Sequence, residues 1–116
     1  MTRLPFTALA LLGLCACATI SLPPERLAKS QATIESADAV GASKNPQAAL
    51  HMQLAQEGIA KAQQLAKQGD APRALLFLDR AQADADLALA LARQQDANVD
   101  AETAEAAVVA IEGGQP

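Results

Sequence analysis

The sequence contains no tryptophan and no tyrosine, and its aromatic residues are two phenylalanines. Large aromatic side chains therefore contribute little to any core. Runs of β-branched residues, which favour strands, are also missing from the chain interior. Alanine takes their place with 29 occurrences, and it has the highest helix propensity of all residues. We expect an all-α fold, either an antiparallel helical hairpin or a small three- to four-helix bundle of long Ala-rich helices.

The common signatures of catalysis and of nucleic-acid binding are missing as well. There is no glycine-rich phosphate loop, no nucleophile elbow and no H-E-x-x-H motif among the 116 residues. The formal net charge is −4, and no basic patch is interleaved with aromatic residues. A thin bundle packed by alanine also has little room for a deep cleft. The sequence predicts no enzyme, no cofactor or metal site, and no nucleic-acid partner.

Long apolar runs are confined to the N-terminus, which is typical of an export signal. Arg3 supplies the positive charge, the segment from Leu4 to Leu14 is apolar, and small residues follow. Because a membrane-spanning helix needs about 20 apolar residues, this segment is too short to be one. We interpret residues 1–16 as a signal peptide that forms a helix of its own.

The only two cysteines lie at the end of this segment. The sequence Leu14-Cys15-Ala16-Cys17 resembles the lipobox of bacterial lipoproteins, although cysteine is unusual at the second position. The resemblance implies cleavage before Cys17 and lipidation of that residue, and several acyl chains anchor a protein firmly to a bilayer. Ala18, where an aspartate often retains lipoproteins at the inner membrane, implies an outer-membrane location facing the periplasm. The alternative is cleavage after Ala18 by the ordinary signal peptidase, which would release a soluble chain.

Turn residues divide the remainder into a tether at residues 17–24, a helical domain at residues 25–112 and a frayed tail at residues 113–116. Gly41, Asn45-Pro46 and Gly69-Asp70 are the helix-ending and helix-capping signals. They predict helices at about residues 24–42, 46–68, 72–96 and 99–111. The capping residues in "DANVD", residues 96–100, predict a kink or short break between the last two helices, with one continuous helix as the alternative.

The third predicted helix has two apolar stripes. The main one is rich in alanine and suits the second helix, to which a short turn connects it. The other stripe consists of Leu76, Leu87 and Leu91 and faces elsewhere. Because a soluble monomer rarely exposes rows of large apolar side chains, this stripe must be covered by the first helix, by the C-terminal segment or by another molecule.

Few residues suggest a chemical site. His51 is the only histidine, and we interpret it as a boundary residue on the apolar side of the second helix. Asp79 and Asp86 are interpreted as part of a solvated, ion-paired face. The segment from Asp96 begins like a calcium-binding loop, but Ala101 stands where that loop requires glycine, so a calcium site is rejected.

The helical part of the chain resembles the domain of unknown function 4398 family, which consists of small Ala-rich modules of bacterial envelope lipoproteins. The resemblance covers about residues 25–95 and rests on Ala37, Gly41-Ala42, Leu50, Leu54 and the segments "AKAQQLAKQGDAPRA" and "LDRAQADADLALALA". Where family members often have Tyr-Ala-Pro, this chain has "SKNPQ". The resemblance implies a helical fold and an envelope location, and it implies no activity.

These observations predict a lipid-anchored envelope protein that acts as a structural or protein-interaction module. Its partners would be the membrane, through the lipid on Cys17, and either another envelope protein or a second copy of itself. One alternative is a soluble periplasmic chaperone or carrier. Another is a lipoprotein that binds peptidoglycan without a covalent bond, since the C-terminal sequence "GGQP" has no lysine for covalent attachment.

Overall fold

The computed structural model describes residues 21–114. They form three α-helices: α1 (Pro24–Ala39), α2 (Pro46–Lys67) and α3 (Ala71–Gly113), with a short 3₁₀ turn (Ala42–Lys44) between the first two. No strand occurs among these residues, so the prediction of a small all-α bundle is confirmed. None of the described helices is long and apolar enough to cross a membrane.

The turn between α2 and α3 makes these helices antiparallel neighbours. Gly69 adopts φ +79°, in the left-handed region where glycine is favoured. Its N–H donates to Ala66 O, and the Asp70 N–H donates to Leu65 O, both at 3.0 Å. This pair of hydrogen bonds is a Schellman motif, which satisfies carbonyl groups at the end of α2. The chain therefore reverses within three residues, and α3 returns along α2.

Side chains also cap the starts of both helices. Asn45 Oδ1 accepts hydrogen bonds from the backbone N–H groups of Gln47 and Ala48 at the start of α2. Asp70 accepts from the backbone N–H of Arg73 at the start of α3, and its carboxylate also pairs with the Arg73 guanidinium. The hydrogen bond from the Arg73 side chain, followed by that from its backbone, lowers the pKa of Asp70.

The core of the bundle is built mostly from alanine, so the helices lie close together. The larger buried side chains are Ile59, Leu65 and Leu78. The closest approach of α2 and α3 is at Gly58, where an added Cβ would lie 2.9 Å from Ala81 Cβ. The fully buried alanines are Ala37, Ala42, Ala48, Ala55, Ala62, Ala74, Ala81, Ala85 and Ala88.

Helix α1 runs parallel to α3 and is held there by polar as well as apolar contacts. The buried Ser30 hydroxyl lies 2.9 Å from Gln82 Oε1 and donates to it. The Gln82 amide in turn donates to Thr33 Oγ1 at 3.3 Å and to Asp86 Oδ1 at 2.9 Å. An ion pair between Arg26 and Asp79 adds a second polar link between these two helices.

The break predicted at residues 96–100 is wrong, because α3 is a single helix of 43 residues. Asp96, Asn98 and Asp100 are all exposed, so water solvates their side chains and they do not compete for the backbone N–H groups. No glycine or proline occurs between Pro72 and Gly113 to interrupt the helix. Helix α1 also ends earlier than predicted, at Ala39, because Gly41 turns the chain at φ +88°.

Candidate functional site

The predicted lipidation site, Cys17, and the predicted signal peptide, residues 1–16, lie outside the described residues. The structure does show from which end of the bundle the chain leads toward them. Leu22 packs against the clusters that contain Leu65, Ala74 and Leu78, near the turn between α2 and α3. The described chain therefore starts at this turn, which we call the anchor end of the bundle.

The opposite end of the molecule is formed by the second half of α3. The last buried residue of this helix is Ala92, and every residue from 93 to 114 is exposed. Helix α1 ends and helix α2 begins near Ala92, which clusters with Ala37 and Ala48. Residues 93–113, which we call the arm, span about 31 Å at 1.5 Å per residue. The first turns of the arm lie beside the connection between α1 and α2, where Gln95, Asp96 and Val99 share a pocket with Asp38 and Lys44, and the rest extends beyond the bundle.

The arm combines exposed apolar side chains with an excess of negative charge. Val99, Val108, Val109 and Ile111 are each more than half exposed. The arm has five carboxylates and one cation, Arg93. None of the salt bridges in the described part of the chain involves a residue of the arm. Most helical stability in proteins comes from tertiary packing, which this exposed half of α3 lacks, so contact with a partner would stabilise the arm.

Two of the three leucines in the stripe of Leu76, Leu87 and Leu91, which we predicted to need a cover, remain open, while Leu91 is partly buried against the cluster that contains Ala88 and Ala92. Leu76 is 66% exposed and Leu87 is 42% exposed. Helix α1 does not cover them because it packs on the other side of α3, where Gln82 and Asp79 lie. The C-terminal segment does not cover them either, because it continues away as the arm. Two of the three covers that the sequence allows are thereby excluded within the described residues.

Beside this stripe, α2 and α3 leave a shallow groove on the face opposite α1. Its apolar lining consists of Gly58, Leu54 and Phe77, and it is also lined by two cations, Lys61 and Arg80, and by two carboxylates, Glu57 and Asp84. Leu54 and Leu50 extend the exposed apolar surface onto α2, at 36% and 54% exposure. This face of the bundle is therefore apolar and bordered by charges of both signs, whereas the arm carries a net negative charge.

His51 lies at the boundary of this face and pairs with Asp84. Its Nδ1 lies 3.0 Å from Asp84 Oδ1, and both side chains are partly exposed. This pair is not predictable from the sequence, because the two residues come from different helices and only the antiparallel hairpin brings them together. No nucleophile lies in this pair, and no group of three or more metal-binding side chains occurs within residues 21–114. The pair links α2 to α3.

A model of the family described as domain of unknown function (DUF4398) matches residues 25–104. The chain belongs to this family. The DUF4398 match covers α1, α2, the bundle part of α3 and about half of the arm. Comparison with curated proteins and with solved structures gave no match. The family description names no activity. The features of this chain that bear on function are the arm, the open stripe and the predicted anchor.

Proposed function

We propose that this DUF4398 protein is a lipid-anchored module of the bacterial cell envelope that binds another protein through helix α3 and catalyses no reaction. The observation that carries the proposal is the exposed second half of α3, where 21 consecutive residues have no buried member. A helix with exposed valines and carboxylates is a contact element of the kind that docks on a complementary surface.

The geometry of the ends supports an anchored module. Residues 21–23 lie at the anchor end, and the arm leaves the bundle at the other end. A lipid on Cys17 would therefore be joined to the anchor end by a tether of a few residues, without touching the arm. Anchoring and binding would use separate parts of the molecule, which is what a protein that fixes a partner at a membrane surface requires.

The anchor is tested by replacing the predicted lipidation site. We expect the Cys17→Ser variant to leave the membrane fraction of the native host or to remain as an uncleaved precursor. The matched control, Cys15→Ser, should fractionate with the membrane like the natural chain, because Cys15 is discarded with the signal peptide. Equal membrane retention of mature Cys17→Ser protein would contradict the proposal.

The binding role of the arm is tested by site-specific photo-crosslinking in intact cells. A photoreactive residue at Val109 on the arm should give a crosslinked protein adduct, whereas one at Glu35 on α1 should give none. Both positions are exposed, so neither substitution disturbs the core. Failure of the arm position to form any adduct above the α1 control would contradict the interaction role.

A soluble periplasmic carrier is the second candidate, and Ala16-Cys17-Ala18 favours it because this triplet fits the A-x-A pattern of ordinary signal peptidase. This candidate predicts a mature chain that begins at Thr19 and carries no lipid. Its release from cells by osmotic shock, without detergent, would distinguish it from the anchored module.

A further inference from the structure

Charge is separated along one exposed face of α3. A sector of about 100° on this helix contains the open leucine stripe, and the same sector continues along the arm. In the bundle half it contains Arg73, Arg80 and Asp84, and in the arm half it contains Glu102, Glu105 and Glu112, so the net charge is positive in the first and negative in the second. A helix face that is cationic in one half and anionic in the other complements a second copy of itself that runs in the opposite direction.

The lengths of the two halves also match. Helix α3 extends from Ala71 to Gly113, so its midpoint is Ala92, which is also the last buried residue. The bundle half and the arm are each about 31 Å long at 1.5 Å per residue. An arm laid antiparallel on the bundle half of a second copy would therefore cover it from end to end.

We propose that two copies of this chain pair through the open face of α3, antiparallel to each other, about a two-fold axis that passes between Ala92 and Arg93. Such an interface is isologous, so each contact occurs twice. In this register Arg80 of one copy lies opposite Glu105 of the other. Leu76 likewise lies opposite Val109, and Arg73 lies opposite Glu112.

The remaining charges on this face include one unfavourable contact. Asp84 lies opposite Ala101 and next to Glu102 of the second copy, although it is already hydrogen-bonded to His51. Arg73 forms an ion pair with Asp70 of its own chain, so its contact with Glu112 must compete with an existing one. Arg80 forms no salt bridge within residues 21–114 and is free for Glu105.

Other arrangements of two copies fit less well. A parallel pair would place Arg80 against Arg80 and Glu105 against Glu105, which is repulsive. A pair formed by the two arms alone would bring ten carboxylates together with only two cations. The antiparallel register is the one that covers Leu76 and Leu87 of each copy and also places Arg80 and Arg73 opposite carboxylates of the arm.

This inference names the partner in the proposed function and depends on it only in taking α3 as the contact element, since it requires no lipid. The two anchor ends would lie at opposite ends of a rod about 64 Å long at 1.5 Å per residue. A dimer anchored by both lipids in one bilayer would therefore lie along the membrane surface.

Disulfide crosslinking tests the register directly. Leu76 and Val109 are both 66% exposed and lie 33 residues apart on one helix, about 50 Å at 1.5 Å per residue. A disulfide between these positions can therefore form only between two chains. The experiment uses the full chain with Cys15→Ser and Cys17→Ser, so that introduced cysteines are the only thiols.

We expect the Leu76→Cys, Val109→Cys variant to form a covalent dimer on mild oxidation at micromolar concentration. The matched control, Leu76→Cys with Ala104→Cys, places the second thiol on the opposite face of the arm and should give at least tenfold less dimer. Each single variant should also remain monomeric on a denaturing gel. Dimer yields equal to the control, or strong crosslinking of a single variant as in a parallel pair, would overturn the proposal.

Charge reversal tests the ion pair in the same cysteine-free chain by sedimentation equilibrium. We expect Arg80→Glu and Glu105→Arg each to weaken the dimer about tenfold, because each change places like charges together twice. The double variant should restore the affinity to within about threefold of the parent. Asp96→Arg, which changes the arm charge equally but lies off the open face, is the control. A monomeric parent, or a double variant no stronger than the single ones, would overturn the proposal, while leaving the anchor tests of the proposed function unaffected.

Discussion

Replacing Gly58 by alanine should destabilise this protein, although alanine is the better helix former. Gly58 lies in the interior of α2, where alanine would ordinarily raise the free energy of unfolding by about 1 kcal/mol. Here the added Cβ would lie 2.9 Å from Ala81 Cβ and 3.4 Å from Phe77 O. Neither atom is the end of a flexible side chain, so α2 and α3 must move apart.

The magnitude follows from two opposing contributions. Overpacking of a close contact costs about 1–3 kcal/mol, which exceeds the gain in helix propensity of about 1 kcal/mol. We therefore expect Gly58→Ala to lower the free energy of unfolding by about 1 kcal/mol. For a domain of this size the melting temperature should fall by about 4–8 °C. The Gly58→Ala, Ala81→Gly double variant should recover most of the contact, giving a coupling of about 2 kcal/mol.

Urea and thermal unfolding followed by circular dichroism measure these differences. Gly113→Ala is the matched control, because nothing lies within 4 Å of the Cβ that it adds. It should be neutral or slightly stabilising. The reasoning is refuted if Gly58→Ala stabilises the protein as much as the control does, or if the double-variant cycle shows no coupling between positions 58 and 81.

Three further outcomes test the caps and the polar link between α1 and α3. Asn45→Ala should cost about 1 kcal/mol, measured by urea unfolding, because two N–H groups of α2 lose their acceptor; no loss would contradict the cap. The pKa of Asp70 is lowered in the folded state, so its stabilising effect is present above the unfolded pKa and is lost as the pH falls below about 4. Asp70→Asn should therefore flatten the fall of the urea midpoint in acid, and an unchanged profile would contradict this. Ser30→Ala should cost about 1 kcal/mol because Gln82 loses its buried donor, whereas Ser36→Ala, whose hydroxyl contacts only its own helix, should change little.

Turn and capping residues made much of the fold predictable from the sequence. Asn45-Pro46 marks the start of α2, and Gly69 with Asp70 marks the turn into α3, because each residue satisfies a local backbone requirement that needs no tertiary information. The alanine content predicted the helical class for the same reason, since propensity acts residue by residue.

The arm was not predictable in the same way. Asp96, Asn98 and Asp100 are capping residues, so local rules predicted a break where the helix continues. The side of α3 on which α1 packs was not predictable from the sequence either, because it depends on the contact between Ser30 and Gln82, which are 52 residues apart in the chain. The sequence did indicate that the leucine stripe needs a cover, and the structure shows that neither α1 nor the arm of the same chain supplies it.

Intact-mass measurement of the protein extracted from membranes of its native host tests the proposed anchored module most directly. We predict a mature chain that begins at Cys17 and carries the additional mass of one diacylglycerol group and one amide-linked acyl chain. An unmodified mature chain that begins at Thr19, recovered without detergent, would contradict the proposal.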